Sequence, residues 1–320
     1  MKIAAVAGGV GAGKFLRGLI QIVSPTELTV IVNTGDDMEV HGLHVSPDLD
    51  SVTYWLAGVA DRERGWGRAD ETFRATEQLR EFHADGSWFG IGDLDLATHL
   101  FRTRLMAAGE RLTGATAAIA ERFGVEARLL PMTDYPVTTR VDAVDQAGDT
   151  LDLHFQEYWV KRGARDDVKG VRFVGAATAS PAPGALEAIA SAEAILLCPS
   201  NPIASIDPIL AVPGFAAALA ARRERVAGVS PIVGGAPLRG MADKLLPTAG
   251  VEVSAAGVAA YYAGRGLIGG WVIDETDTAL EPRIEALGLR TLMTDTIMVD
   301  DEAAARVARV ALALAVAGGS

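Results

Sequence analysis

The feature that most restricts this chain is an alternation. Short runs rich in valine and isoleucine take turns with longer stretches whose apolar residues recur at helical spacing. "KIAAVAG" is followed by the helical pattern "GKFLRGLIQIV", then by "ELTVIVN", and later by "AILLCP", "GVSPIVGG", "GLIGGWVIDE" and "LRTLMTD". Runs that are apolar throughout, rather than at every second position, belong to strands buried on both faces, and the intervening helices supply the cover. The expected fold class is α/β, a Rossmann-like, doubly wound and mostly parallel sheet.

Two stretches depart from the alternation. Between about residues 60 and 125 the strand runs disappear, and "DETFRATEQLREFH", "LDLATHLFRTRLMAAG" and "LTGATAAIAERFG" read as a helical insertion. "PVTTRVDAVDQAGDTLDLHFQEYWV" then reads as two alternating strands around "QAGD", a β-hairpin. With no fixed-period repeat and no low-complexity linker, residues 1–320 read as one Rossmann-like domain, with an inserted helical and hairpin segment over approximately residues 60–160. The alanine-rich C-terminal stretch reads as a helix packed on the sheet.

"AGGVGAGKF" falls where the first strand meets the first helix, the place where backbone amides and a helix N-terminus cradle phosphate. Gly8, four residues, Gly13 and Lys14 spell a phosphate loop, but Phe15 stands where a serine or threonine would hold magnesium. The loop therefore suits a phosphate without the usual metal ligand; a tight turn packed against the sheet is the other reading.

The next loop supplies what the first lacks. "VNTGDDMEVHGLHVSPDLDSV" places Asp36, Asp37, Asp48 and Asp50 after the second strand, the hard oxygens that magnesium prefers. Both loops belong at the carboxyl ends of strands, so they should face each other across the ligand crevice. Plainer roles compete: Asp36 or Asp37 as a turn residue after Thr34 and Gly35, and Asp48 or Asp50 as the cap of a helix beginning near "SVTYWLAG". His41 and His44, three apart with no cysteine nearby, are too sparse to specify zinc.

Further strand ends carry "WFGIGDLDLATHLFRTR", "CPSNPIASIDPIL" and "PIVGGAPLRGMADKLL". In the first, Asp93 or Asp95 suits a helix cap, and Trp88 with Phe89 reads either as core or as a stacking surface for a flat ligand. The others bring Asn201 and Ser205, then Gly234, Gly235, Arg239 and Asp243, to positions where a base or a second phosphate could be read.

Composition narrows the partners. A net charge of −12 repels a nucleic-acid backbone, so no nucleic acid is expected and any phosphorylated ligand must be met by a local cluster of donors. The single cysteine, Cys198, excludes an intrachain disulfide and a cysteine-based zinc site, fits a reducing compartment, and reads as a buried strand residue. "MKIAAVAGG" has no room for the apolar core of a signal peptide, and acids and arginines keep the C-terminal apolar run short of a membrane span. A cytoplasmic protein with no membrane partner is the expectation.

Taken together, "AGGVGAGKFLRGL", "VNTGDDMEVHGLHVSPDLDSVTYWLAG", "WFGIGDLDLATHL", "FQEYWV", "PSNPIASIDPIL" and "SPIVGGAPLRGMADKLL" resemble the 2-phospho-L-lactate transferase family of coenzyme F420 biosynthesis, in family order and over nearly the whole chain. The resemblance implies transfer of a phospho-acid from a guanosine diphosphate-linked donor to the terminal ribityl hydroxyl of the deazaflavin Fo, with release of GMP and a requirement for magnesium. It implies metal on Asp36 and Asp50, with Asp37 close by and Lys14 assisting the leaving GMP. It implies deazaflavin contacts around Asn33, Thr34, Trp88, Phe89 and Asp93. The nucleotide would lie on Gly8, Gly9, Val10, Gly11, Gly13 and Lys14, with Asn201, Ser205, Gly235, Met241 and Asp243. A homodimer is also implied. Leu94 departs from the basic residue of the family's corresponding segment, which puts any contact by that side chain in doubt.

Two alternatives remain. A nucleotide-sugar-binding regulatory protein of the related gluconeogenesis-factor family would share the glycine loop and paired aspartates, but would follow them with a glycine- and serine-rich run that is absent here. A phosphate-loop kinase is opposed by Phe15. No side chain can be assigned to distinguishing phospholactate, phosphoenolpyruvate and phosphoglycerate.

Overall fold

The computed structural model describes residues 1–82 and 85–319; the end of the helical pattern, at His83, lies outside them. Strand β1 (Ile3–Ala7) is buried at every position, which is why its sequence does not alternate. Helix α1 (Gly9–Leu19) crosses to β2 (Leu28–Val32), parallel to β1. The chain leaves the sheet through a short hairpin, β3 (Met38–Val40) and β4 (Leu43–Val45), and four helices, α2 (Pro47–Ala57), α3 (Arg74–Glu81), α4 (Asp93–Ala107) and α5 (Leu112–Arg122). It returns as β5 (Arg128–Pro131), alongside β2.

A second excursion forms an antiparallel sheet of β6 (Thr138–Val144), β7 (Thr150–His154) and β8 (Asp167–Val174), with β6 in the middle. Helix α6 (Ala185–Ser191) leads back to β9 (Ala194–Leu197) on the free side of β1. Helices α7 (Asp207–Ala211) and α8 (Phe215–Ala220) precede β10 (Val226–Val229). After the small hairpin β11 (Ile232–Val233) and β12 (Ala236–Pro237) come α9 (Ala242–Leu245), α10 (Ala255–Gly264), β13 (Gly270–Asp274), α11 (Glu281–Glu285), β14 (Arg290–Thr294) and α12 (Asp301–Ala317).

The central sheet runs β14-β13-β10-β9-β1-β2-β5, all neighbours parallel, so the expected doubly wound sheet is present. Strand order reverses between β1 and β9. Ala12, Phe15 and Leu16 of α1 and Val307, Ala311 and Leu314 of α12 fill one face of the sheet, while Tyr158, Phe215, Val258 and Trp271 belong to the core on the other. The C-terminal helix is thus packed as expected, with Asp300 capping it by accepting from the Ala303 N–H at 2.8 Å. No helix among the described residues is long and apolar enough to cross a membrane.

The structure adds elements that the sequence reading lacked. β5 is only four residues long, at the sheet edge, where a terminal proline is tolerated. β8 joins the expected hairpin as a third strand, its period interrupted by a register shift opposite Asp142 and Ala143. The acidic loop contains the hairpin β3–β4, turned by His41 and Gly42, both at positive φ (52° and 75°), the backbone of a two-residue type I′ turn. "GVSPIVGG" divides into β10 and β11 at Ser230 and Pro231.

Candidate functional site

A cleft of about 1100 Å³ opens at the carboxyl ends of the central strands, where strand order reverses beside β1 and β9. The glycine segment forms one wall. Helix α1 begins directly after Gly8, whose N–H donates to Ser200 Oγ at 3.1 Å. A methyl group on Gly8 would lie 2.6 Å from Asp48 Oδ2 and from Ser205 Cβ, and one on Gly11 would meet the Pro199 carbonyl oxygen at 2.3 Å. Gly8, Gly9, Val10, Gly11 and Lys14 all line the cleft. Gly13 does not: it faces Trp55 of α2, where a methyl group would come within 2.5 Å, so its role is close helix packing.

Lys14 is half-buried, its ammonium 5.7 Å from the Trp55 ring centroid. Burial, then the nearby charges of Arg239 and Arg62, lower its proton affinity. Arg239 lines the same wall and donates to the carbonyls of Arg64 (2.5 Å) and Glu63 (2.7 Å), bracing residues 61–68 over the cleft. Among the described residues neither Lys14 nor Arg239 has a carboxylate partner, which leaves both available to an anion. The Arg64 guanidinium lies 5.4 Å and 5.3 Å from the ring centroids of Trp66 and Phe73, both of which face the cleft.

The floor is acidic. Asn33, fully buried at the end of β2, donates from one amide nitrogen to Asp36 Oδ1 and Asp48 Oδ2, each at 2.9 Å, and accepts the Gly35 N–H at 2.8 Å. Gln156 Nε2 donates to Asp36 Oδ2 at 3.1 Å. Burial, and secondarily the Asp48 charge, hold Asp36 well above the usual carboxylate range; burial pushes Asp48 from 3.8 up to about 7. Neither Asp48 nor Asp50 caps the helix: α2 begins at Pro47, Ser46 stands at the cap position without a side-chain cap bond, and both aspartates direct their carboxylates to other partners.

Asp37 turns away from Asp36. Its Oδ2 accepts from Ser46 Oγ at 2.7 Å and lies 2.9 Å from His44 Nε2, while burial raises its proton affinity, so it fastens the β3–β4 hairpin to the loop. His44 is occupied by that contact, and His41 serves the hairpin turn. Asp50 is held by both terminal nitrogens of the buried Arg102, with Nη1 at 3.1 Å.

A stripe on α4 completes the wall; the sequence reading took Asp95 only as a helix cap, a position that Gly92 occupies, and did not single out His99 or Arg102. Asp95, His99 and Arg102 fall at i, i+4 and i+7 and share one face. His99 lies between Asp95 (3.5 Å) and Asp50 (3.6 Å), and Tyr54 donates to Asp95 Oδ1 at 2.5 Å. Burial pushes the Asp95 carboxyl up, but His99, Tyr54 and Arg102 outweigh it and hold it below the ordinary value. Asp93 instead accepts from the backbone N–H groups of Arg74 and Ala75 and from the Thr72 hydroxyl, anchoring the start of α3 rather than reaching the cleft.

Phe89 lines the cleft, and Trp88 stands edge-on to it at 5.8 Å between centroids, outside the lining. Asn33 and Thr34 are buried beneath the floor. Asn201 accepts from the Ile203 and Ala204 N–H groups at 3.0 Å, and with Ser205 and Met241 it faces the cleft. Gly234 and Gly235 make a turn at positive φ, and Gly235 and exposed Asp243 lie outside the lining. Leu94 is exposed, and its carbonyl accepts from Arg68 at 3.3 Å. Cys198 is buried, and burial pushes its thiol up, as an inert core residue requires.

The donor set suits a hard divalent cation: the buried carboxylates of Asp36 and Asp48 meet on the floor at the Asn33 amide, and the absence of a side chain at Gly8 lets the backbone of the glycine segment lie against Asp48. The cleft therefore combines a cationic wall for phosphates, an acidic floor for a cation and aromatic faces for a flat ring.

A family model described as 2-phospho-L-lactate transferase CofD matches residues 3–311. A phosphoenolpyruvate transferase of Kitasatospora aureofaciens is 50% identical over 316 residues, covering 98% of each chain. Phosphoenolpyruvate transferases of Streptomyces coelicolor (49% over 315 residues, 98% of each chain) and Mycolicibacterium smegmatis (42% over 328 residues, 98% of this chain and 99% of the relative) are similar over the same extent. Among solved structures, a protein of the UPF0052 family from Bacillus halodurans superposes with a TM-score of 0.64 at 19% identity, over 97% of this chain and 99% of the other, a likeness of fold alone.

Proposed function

The chain belongs to the 2-phospho-L-lactate transferase CofD family, and from that membership and the cleft we propose that it transfers a phosphoenolpyruvyl or closely related phospho-acid group to the deazaflavin Fo. The donor is the guanosine diphosphate-linked acid, the acceptor is the terminal ribityl hydroxyl, and GMP is released. The observation that carries this reading is the opposition, within one cleft, of the unpaired cations Lys14 and Arg239 to the buried carboxylates of the floor. The resemblance to phosphoenolpyruvate transferases makes the unsaturated acid the expected donor.

The acceptor hydroxyl oxygen forms its bond to the phosphorus that carries the acid and gives up its proton to solvent, while the bond from that phosphorus to the bridging oxygen breaks and the electron pair leaves on GMP. Such a transfer needs positioning and charge neutralisation more than covalent catalysis. Lys14 and Arg239 hold the guanosine diphosphate, and Lys14 is placed to meet the charge that develops on GMP. Phe89, Trp66 and Phe73 provide faces for the deazaflavin ring. Asn33 and Gln156 fix the orientation of Asp36. Magnesium, when bound on the acidic floor, neutralises the diphosphate. Magnesium dependence, a homodimer and a cytoplasmic setting belong to the same proposal.

The test is to incubate the protein with magnesium, Fo and a panel of guanosine-diphospho acids, and to follow GMP and the deazaflavin product by liquid chromatography and mass spectrometry. A product heavier than Fo by one phosphoenolpyruvyl group is expected. No adduct with any donor in the panel would overturn the reading.

A further inference from the structure

We infer that Arg80 pairs with the ionised ring hydroxyl of the acceptor, and so selects a hydroxylated deazaflavin over one that lacks the hydroxyl. The inference deepens the transfer reading and rests on it for the identity of the acceptor. Lys14 and Arg239 share the wall of the glycine segment, whereas Arg80 stands on α3 and lines the cleft among aromatic residues. It follows Phe73 by seven positions, so the two share one face of the helix. The rise of a helix puts Arg80 about 10 Å beyond Phe73, a length that three fused six-membered rings cover. Thr76, on the same face, donates to the Ile91 carbonyl at 2.6 Å and ties this face of α3 to the segment that carries Phe89 and Gly90. A methyl group on Gly90 would meet nothing nearer than Phe73 Cε1 at 3.9 Å, so the wall is open there. The π-helical turn Glu157–Lys161 brings Trp159 and Val160 to the same cleft, and its Lys161 ammonium lies 5.6 Å from the Trp88 ring centroid.

The guanidinium of Arg80 is oriented but not neutralised. Its Nε donates to the Ser87 carbonyl at 3.2 Å, and among the described residues neither terminal nitrogen has a partner. The charged neighbours are placed otherwise. Glu77 and Glu81 share its helix, Asp85 lies in the turn that follows, and His41 faces that turn at Gly86, but none of these carboxylates forms an ion pair with it among the described residues. Lys161 is paired with Glu157 at 3.5 Å, and Arg64, the other cation near Phe73, is paired with Asp61 at 3.0 Å. Arg80 is therefore the uncommitted cation of the aromatic wall. A hydroxyl on the carbocyclic ring of a deazaflavin is conjugated with the pyrimidine carbonyls, so its anion is delocalised over the ring system. A cation at the ring edge favours that ionised form and releases the proton to solvent. A planar guanidinium with two free terminal nitrogens suits such an oxygen better than a point charge does.

The test follows the absorbance of bound Fo as its ring hydroxyl ionises, in the wild-type chain, Arg80→Met and Arg80→Lys. Arg80 is exposed, so neither change disturbs the core. Wild type is expected to lower the pH at which bound Fo ionises relative to free Fo, Arg80→Lys to keep part of that shift, and Arg80→Met to abolish it. Arg80→Met should weaken Fo about three- to tenfold in mildly alkaline buffer and less than about twofold in mildly acid buffer, where the hydroxyl keeps its proton. 5-Deazariboflavin, which lacks the hydroxyl, should bind wild type and Arg80→Met alike. The same ionisation in wild type and Arg80→Met, or an equal loss of Fo affinity in both buffers, would overturn the assignment even if wild type makes the Fo adduct. A chain that shows the Arg80-dependent ionisation but transfers nothing would sink the transfer reading and leave the ring site standing. No binding of Fo by wild type would sink both.

Discussion

Asp48 carries a consequence for stability as well as for binding. Its folded-state pKa of about 7, raised by burial from 3.8, means that between those values the folded chain keeps a proton that the unfolded chain gives up. The stabilisation is complete below the unfolded value and is lost as pH rises through about 7. Without divalent ions, thermal stability should therefore fall from mildly acid to mildly alkaline buffer, and Asp48→Asn should flatten that slope. At pH 8 the variant should be more stable by about 1–2 kcal/mol while losing transfer, the trade expected of a functional charge pair. Unfolding scans in chelator at several pH values check this, and an unchanged slope would contradict it. Asp50→Asn should behave oppositely, since it strands a buried Arg102 and should cost about 3–5 kcal/mol, measured by urea titration. Replacing Arg102 with methionine in the same chain should recover part of the loss.

The site depends on how closely α1 approaches its neighbours. Gly18 faces α12, where a methyl group would lie 2.2 Å from the backbone carbon of Ala304, and Gly13 faces Trp55 of α2. Backbone cannot step aside as a flexible side chain can, so Gly18→Ala should cost about 1–3 kcal/mol by forcing two helices apart. Because α1 also carries Lys14 and follows Gly8, the displacement should raise KM for the nucleotide donor, which steady-state kinetics would detect. An unaltered denaturation midpoint would show that α12 moves freely. The same element explains a misleading pattern: the phosphate-loop spacing is present, but the segment from Gly9 onward is helix, and one of its signature glycines is spent on packing.

At the scale of the molecule, the cleft joins a cationic wall from α1 and the β12–α9 connection to an aromatic wall from the helical excursion. These walls should be separable. Lys14→Ala should weaken GDP about tenfold with little change in Fo affinity, whereas Phe89→Ala should weaken Fo about three- to tenfold with little change in GDP. Calorimetric titration of each ligand checks both, and a variant that impairs both ligands equally would show that the walls are coupled. The walls also mark how far the sequence could be read. Strands such as Ile3–Ala7 announce themselves because burial on both faces demands apolar residues throughout, and Gly8 is conspicuous because it ends such a run. β5 and the hairpin β3–β4 were hidden, being too short for a period to emerge. The α4 stripe of Asp95, His99 and Arg102 has helical spacing, but its meaning depends on α2 lying opposite. The sequence by itself determined the layered sheet, the place of the crevice and the acidic character of one loop, because these follow from local periodicity and from where strands end. Only the tertiary structure decided which charges meet. Asp36 finds Gln156 from 120 positions away and Asp50 finds Arg102 from 52, and the energy of a buried carboxylate is set by the neighbour that folding brings to it.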